Sequence, residues 1–175
     1  MTKQELIRAF LQNHEAAVAY VAGLSGKQLH YASAGKWSPA QQLQHISLTI
    51  APFPKALASK EYLSQKFGSI DRPVWDYKTV LEHYFNTSLK APAQYVPDGK
   101  LKPEQEEEVV QVLYGNLKAI GVLLEGYSEE ELDTLVLPHP LLGKLALREM
   151  FCLMGYHPLH HIQQMKDMLG KACEI

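Results

Sequence analysis

His157 and His161 stand four apart near the C-terminus, in Tyr156-His157-Pro158-Leu159-His160-His161-Ile162-Gln163-Gln164, where three of the chain's eight histidines fall within five positions. On an α-helix, residues four apart project from one face at neighbouring turns, so two such imidazoles can reach one metal ion. The surrounding sequence supplies that helix. Between Leu145 and Leu169, the residues Leu147, Met150, Met154, His157, His161, Met165 and Met168 recur in steps of three and four, the inward stripe of an amphipathic helix. His160 lies about a third of a turn away and is the weaker inward candidate. Pro158 breaks a local rule, because proline in a helix interior costs about 3 kcal/mol. The apolar stripe nevertheless keeps its phase from Met154 to Met165, so the spacing predicts a kinked but continuous helix. Two histidines do not make a site, and a third ligand has to come from another element.

Three more long helices can be read from the remaining pattern. Thr2 to Val21 carries Leu6, Phe10, Ala17 and Val21 on one face, with His14 at the edge as a hydrogen-bonded structural histidine. Ser38-Pro39-Ala40-Gln41 is a capping box with proline at the first helical position, and Leu43, Ile46, Ile50, Phe53 and Leu57 continue it. Pro52 and Pro54 are expected to kink or end this second helix late. His45 sits beside Ile46 at the edge of the stripe. Two roles fit it, a half-buried polar residue or the missing ligand. Ser59 to Lys102 reads as a partly helical connector, with a shorter helix over Asp76 to Leu89 and irregular chain at Pro92, Pro97, Asp98 and Gly99. Trp75, Tyr77, Tyr84 and Tyr95 there either cover a core or line a pocket, and His83 offers nothing specific. Pro103 to Tyr127 is the third long helix, its acidic opening suited to the helix dipole. Ser128 opens a short turn, and Leu135 to Gly143 is an extended approach to the last helix, with His139 either as a turn residue or at the mouth of a site.

The bulk properties narrow the function class. With 175 residues the chain fits one domain, 1–175, large enough for a well-buried core. A net charge of −2 gives no electrostatic footprint for nucleic acid. No uncharged apolar run reaches membrane length, and the charged start is not that of a secretory signal. Cys152 and Cys173 are 21 residues apart on or just beyond one helix, roughly 30 Å at about 1.5 Å per residue, too far to bridge. A reducing cytoplasm is the expected location.

Trp37-Ser38, His45 eight positions after the tryptophan, Gly143 leading to Arg148-Glu149, and His157-x-x-His160-His161-x-x-Gln164 together resemble the DinB/YfiT-like superfamily. The similarity extends over nearly the whole chain, including Lys90-Ala91-Pro92-Ala93 and Pro97. It implies an all-α fold, an antiparallel four-helix bundle with a long connector between the second and third long helices. It also implies a divalent metal held by three histidines, which map here onto His45, His157 and His161. His160 matches a position that is commonly histidine in the family without being the usual ligand. Members include metal-dependent hydrolases and transferases of low-molecular-weight thiols.

Three imidazoles with an open position resemble a catalytic rather than a structural metal site, and zinc or nickel suits such a donor set. The open position could acidify water for hydrolysis or hold a substrate thiol as thiolate. No carboxylate stands out near the histidines as a general base for water, which favours thiol transfer to a small-molecule substrate. Gln41, one turn before His45, and Gln164, three residues after His161, are candidates to orient the ligands. A non-catalytic helical bundle that binds a small molecule or metal is the rival from another class. The pattern is compatible with a homodimer through exposed helix faces.

Overall fold

Thr2 opens the first helix as a cap: the Glu5 amide donates to Thr2 Oγ1 at 3.3 Å, and the Thr2 amide donates to Glu5 Oε2 at 2.8 Å. In the computed structural model, which describes residues 1–88, 90–97 and 99–172, this helix is α1 (Lys3–Ala22), followed by the single turn α2 (Gly26–Leu29). Leu89, Asp98 and Cys173, and what their positions were expected to do, lie outside the described residues. Ser38 caps α3 (Pro39–Ile50) with Gln41 in the reciprocal role, as its spacing predicts. The chain turns at Ala51 and resumes as α4 (Phe53–Leu57), the late break expected from Pro52 and Pro54.

Two helices lie within the connector. Ser59 caps α5 (Lys60–Phe67), which the sequence pattern does not show, because Leu63 is its one buried residue and a single anchor makes no periodic stripe. Asp76 caps α6 (Tyr77–Phe85), ending four residues earlier than expected, and a 3₁₀ turn covers Ala93–Tyr95. Then come α7 (Pro103–Glu125) and α8 (Glu129–Thr134), the latter opened by the Ser128–Glu131 box.

One feature must be added to the all-α expectation. The segment read as an extended approach is a hairpin of β1 (Val136–His139) and β2 (Gly143–Ala146), with His139 opposite Gly143. Four-residue strands are too short to carry a period-two signal, and Pro138 and Pro140 hide it further. Gly143 supplies the positive φ of 71° that the turn requires. His139 Nδ1 accepts from the Leu141 and Leu142 amides, both at 3.2 Å, so it is the turn residue the sequence indicated. The last helix, α9 (Leu147–Ala172), runs without interruption across Pro158.

The long helices bury their predicted stripes against one another, and the chain is mostly helical. Their directions follow from cross-helix contacts. Arg148 Nη1 donates to the Met1 carbonyl at 2.8 Å, Phe10 packs edge-on against Phe151, and Lys166 lies over the Tyr20 ring, so α1 and α9 run the same way. Lys3 reaches the Glu125 carbonyl and Leu11 meets Gly121, so α1 and α7 run oppositely. Gln42 with His161, His45 with His157, and Phe53 with Phe151 set α3 and α4 antiparallel to α9. The α1–α9 approach is close at Gly155, where a Cβ would lie 3.5 Å from Phe10 Cα. No helix among the described residues is long and apolar enough to cross a membrane.

The connector is fastened to α9 by a buried charge. Glu149, with 0% exposure, accepts from Arg72 Nη1 at 2.6 Å and Nη2 at 2.9 Å, and from the Trp75 and Ala146 amides at 2.6 and 2.8 Å. The Arg72 guanidinium lies flat over Trp75, 3.4 Å from its centroid, and Trp75 stacks on His83.

Candidate metal centre

The Ser38 cap fixes the phase of α3, and with it the direction of His45, two turns inside the helix and 5% exposed. On α9 the stripe carries His157 and His161 inward to 7% and 4% exposure. The three rings meet. Nε2 of His157 is 3.2 Å from Nε2 of His45 and 3.1 Å from Nε2 of His161. Among the described residues these three histidines form the cluster whose donor atoms all lie within 4.8 Å of one another. Nitrogens bound about 2.0–2.1 Å from a tetrahedral ion stand roughly 3.3 Å apart, so the spacing fits a small divalent cation.

The outer ring nitrogens show which tautomers are present. His45 Nδ1 lies 2.6 Å from the Tyr95 carbonyl oxygen, an acceptor only, so Nδ1 carries the proton and Nε2 the lone pair. Gln42 Nε2 donates to the Trp37 carbonyl at 3.1 Å, which turns Gln42 Oε1 toward His161 Nδ1 at 3.0 Å. His161 Nδ1 therefore donates, and its Nε2 is also a lone pair. Two lone pairs thus face His157 Nε2, which can bring at most one N–H between them. A cation among the three nitrogens would satisfy all of them at once. His157 Nδ1 is buried, with no partner among the described residues.

Of the six residues singled out from sequence, the structure brings His45, His157 and His161 together and sets His160 and Gln164 beside them. His160 Nε2 and Gln164 Nε2 are 2.8 Å apart, and both side chains line the adjoining cavity. Gln41 serves the helix cap, accepting from the Ser38 amide at 3.0 Å, and Gln42 meets His161 instead. The signal was present in the sequence, since the Ser38-x-x-Gln41 box already claims Gln41 while Gln42 lies three residues before His45 on the same face.

A cavity of about 450 Å³ opens beside the histidines. Trp37, Phe53, Tyr84 and Tyr95 give it aromatic walls, and Lys55 and Lys90 place two cations on its lining. Trp75 packs against the core and Tyr77 is 40% exposed, and neither lines this cavity. None of the described lining residues is Asp or Glu. Burial pushes the Tyr84 phenol up to about 12, so it stays a proton donor near neutrality.

Burial also holds the histidines neutral. His14 and His139 are pushed down to about 4 by desolvation. His157 and His161 fall well below their ordinary value through burial first and neighbouring imidazoles second, and His45 is lowered by burial despite its carbonyl bond. As pH drops, His14, His45, His139, His157 and His161 protonate near 6.5 in the unfolded chain and only at lower, depressed values in the folded one. The stability gained from neutral burial is therefore complete above about 6.5 and lost progressively below it, down to about 4 for His14 and His139. Melting temperature of the metal-free protein is expected to be level from about pH 8 to 7 and to fall between about 6.5 and 4. A level midpoint across that lower window would contradict neutral burial.

The sequence model of the DinB superfamily matches residues 9–165. No curated protein matches the chain.

Proposed function

The chain belongs to the DinB superfamily, and from that premise we propose that it is a metal-dependent thiol transferase whose ion is held by Nε2 of His45, His157 and His161. The carrying observation is the convergence of three Nε2 atoms, two with fixed lone pairs, on a cavity whose described lining holds lysines and no carboxylate. The four long helices then form the family's four-helix bundle, and zinc or nickel suits the all-imidazole set. When bound, such an ion would supply Lewis acidity that lowers the pKa of a substrate thiol, whose proton would pass to solvent.

The chain's own residues do the rest. Tyr95 and Gln42 accept the outer N–H groups of His45 and His161, fixing ring orientation and keeping both inner nitrogens available. Lys55 and Lys90 favour a thiol that carries carboxylates, and the aromatic walls favour an apolar electrophile. Hydrolysis is the weaker assignment, since no described lining residue is a carboxylate able to take a proton from water. A thiol substrate also suits a reducing cytoplasm.

Elemental analysis of untagged protein, followed by turnover assays with an activated aryl halide and a panel of small thiols, tests this function. The expected result is near one ion per chain and metal-dependent consumption of carboxylate-bearing thiols in preference to neutral 2-mercaptoethanol. His45→Ala should lose both metal and turnover. Stoichiometric metal with no consumption of any thiol would reject the transferase in favour of a binding protein.

A further inference from the structure

His14 is fully buried on α1, and its Nδ1 lies 2.7 Å from the Phe10 carbonyl oxygen. A carbonyl only accepts, so Nδ1 carries the proton and Nε2 presents a lone pair. That lone pair has no partner among the described residues. A buried acceptor left unmet loses its hydration with nothing in return, so native interiors rarely keep one.

The parallel register of α1 and α9 supplies an explanation. Asn13, next to His14, donates from Nδ2 to the Gly155 carbonyl at 2.8 Å, and the two backbones are in contact where Phe10 passes Gly155. The offset set by Phe10 with Gly155 and Tyr20 with Lys166 carries His14 level with the turn that begins at His157. His157 has the complementary deficit. With Nε2 turned to His45 and His161, its Nδ1 is buried and has no partner among the described residues. If Nε2 binds an ion, Nδ1 must carry the proton, and a metal-bound histidine almost always gives its second N–H to an acceptor. Tyr95 and Gln42 fill that place for the other two rings; for His157 the described residues in direct contact offer nothing.

We propose that His14 is the positioning residue for His157, its Nε2 accepting through one buried water that in turn accepts the His157 Nδ1–H. The proposal rests on the three-histidine site argued above. Donor and acceptor match: His157 gives a proton to the water, and the water gives one to His14. Pro158 brings no N–H to the Met154 carbonyl, so a further acceptor for that water is available on the same turn of α9.

Zinc affinity by chelator competition on wild type, His14→Leu and His14→Gln tests this, with exchange of the His157 Nδ1–H followed by ¹H–¹⁵N spectra of the zinc-loaded proteins. His14→Leu is expected to weaken zinc binding by about 10–100-fold and to speed exchange of that proton. His14→Gln, whose Oε1 can accept, should recover much of both, which loss of packing alone would not. Unchanged affinity and exchange in His14→Leu, or equal losses in both variants, would overturn the link while leaving the three ligands standing. No zinc uptake by the wild type would overturn the site and the link together.

Discussion

Protein carrying His157→Ala is expected to be isolated with less than about a tenth of its metal, whereas His160→Ala keeps a full complement. The difference follows from position on one helix turn. His157 Nε2 is the shared neighbour of both other inner nitrogens, at 3.2 and 3.1 Å, so its removal leaves two ligands on two different helices. His160 points along the cavity wall, where its Nε2 engages Gln164 and its ring faces Tyr84 and Phe85. Metal that binds only the folded chain stabilises it by about 2.7 kcal/mol at a hundred times its dissociation constant, and the His157 variant should forfeit that gain. Melts with and without chelator separate this from packing loss. In wild type and His160→Ala the chelator should lower the midpoint; in His157→Ala it should change nothing. Equal metal loss in the two variants would reject the ligand assignment.

The parts of this site that can be read along the chain are the ones set by local periodicity. Met150, Met154, His157, His161 and Met165 are all buried, because a step of three or four on a helix must return to the same face whatever packs against it. The Ser38 box likewise fixes where α3 begins and hence which way His45 points. What stays hidden are partners set by tertiary approach. The acceptor for His45 is a backbone carbonyl 50 residues away, on a 3₁₀ turn that no side-chain pattern marks. The arginine that neutralises Glu149 lies 77 residues away in an irregular stretch. His14 is a third case: its place at the edge of an apolar face is legible, but its full burial, with a nitrogen that has no partner among the described residues, follows only from the register of α1 on α9.

Arg72→Ala is expected to destabilise the fold by about 3–5 kcal/mol, the range for stranding a charge in the interior. Glu149 has no route to water, and without the guanidinium its carboxylate keeps only the Trp75 and Ala146 amides. Glu149→Leu should cost less, since the Arg72 side chain is 25% exposed and can rehydrate. The double variant should be more stable than the sum of the two losses predicts, because removing both charges strands neither. Urea unfolding midpoints at constant m check all three, and additivity would show that the pair is not energetically coupled. The effect should also reach the proposed three-histidine site. The connector is tied down by Glu149 at Arg72 and Trp75, and it touches the site where Tyr95 takes the His45 N–H. Loosening the first tie gives the Tyr95 carbonyl freedom to leave His45, so zinc affinity of Arg72→Ala should fall toward the 10–100-fold loss typical of a missing ligand-orienting partner. Unchanged zinc affinity in a measurably destabilised variant would show that the 3₁₀ turn is held by its own packing, and that the charged clamp serves the fold alone.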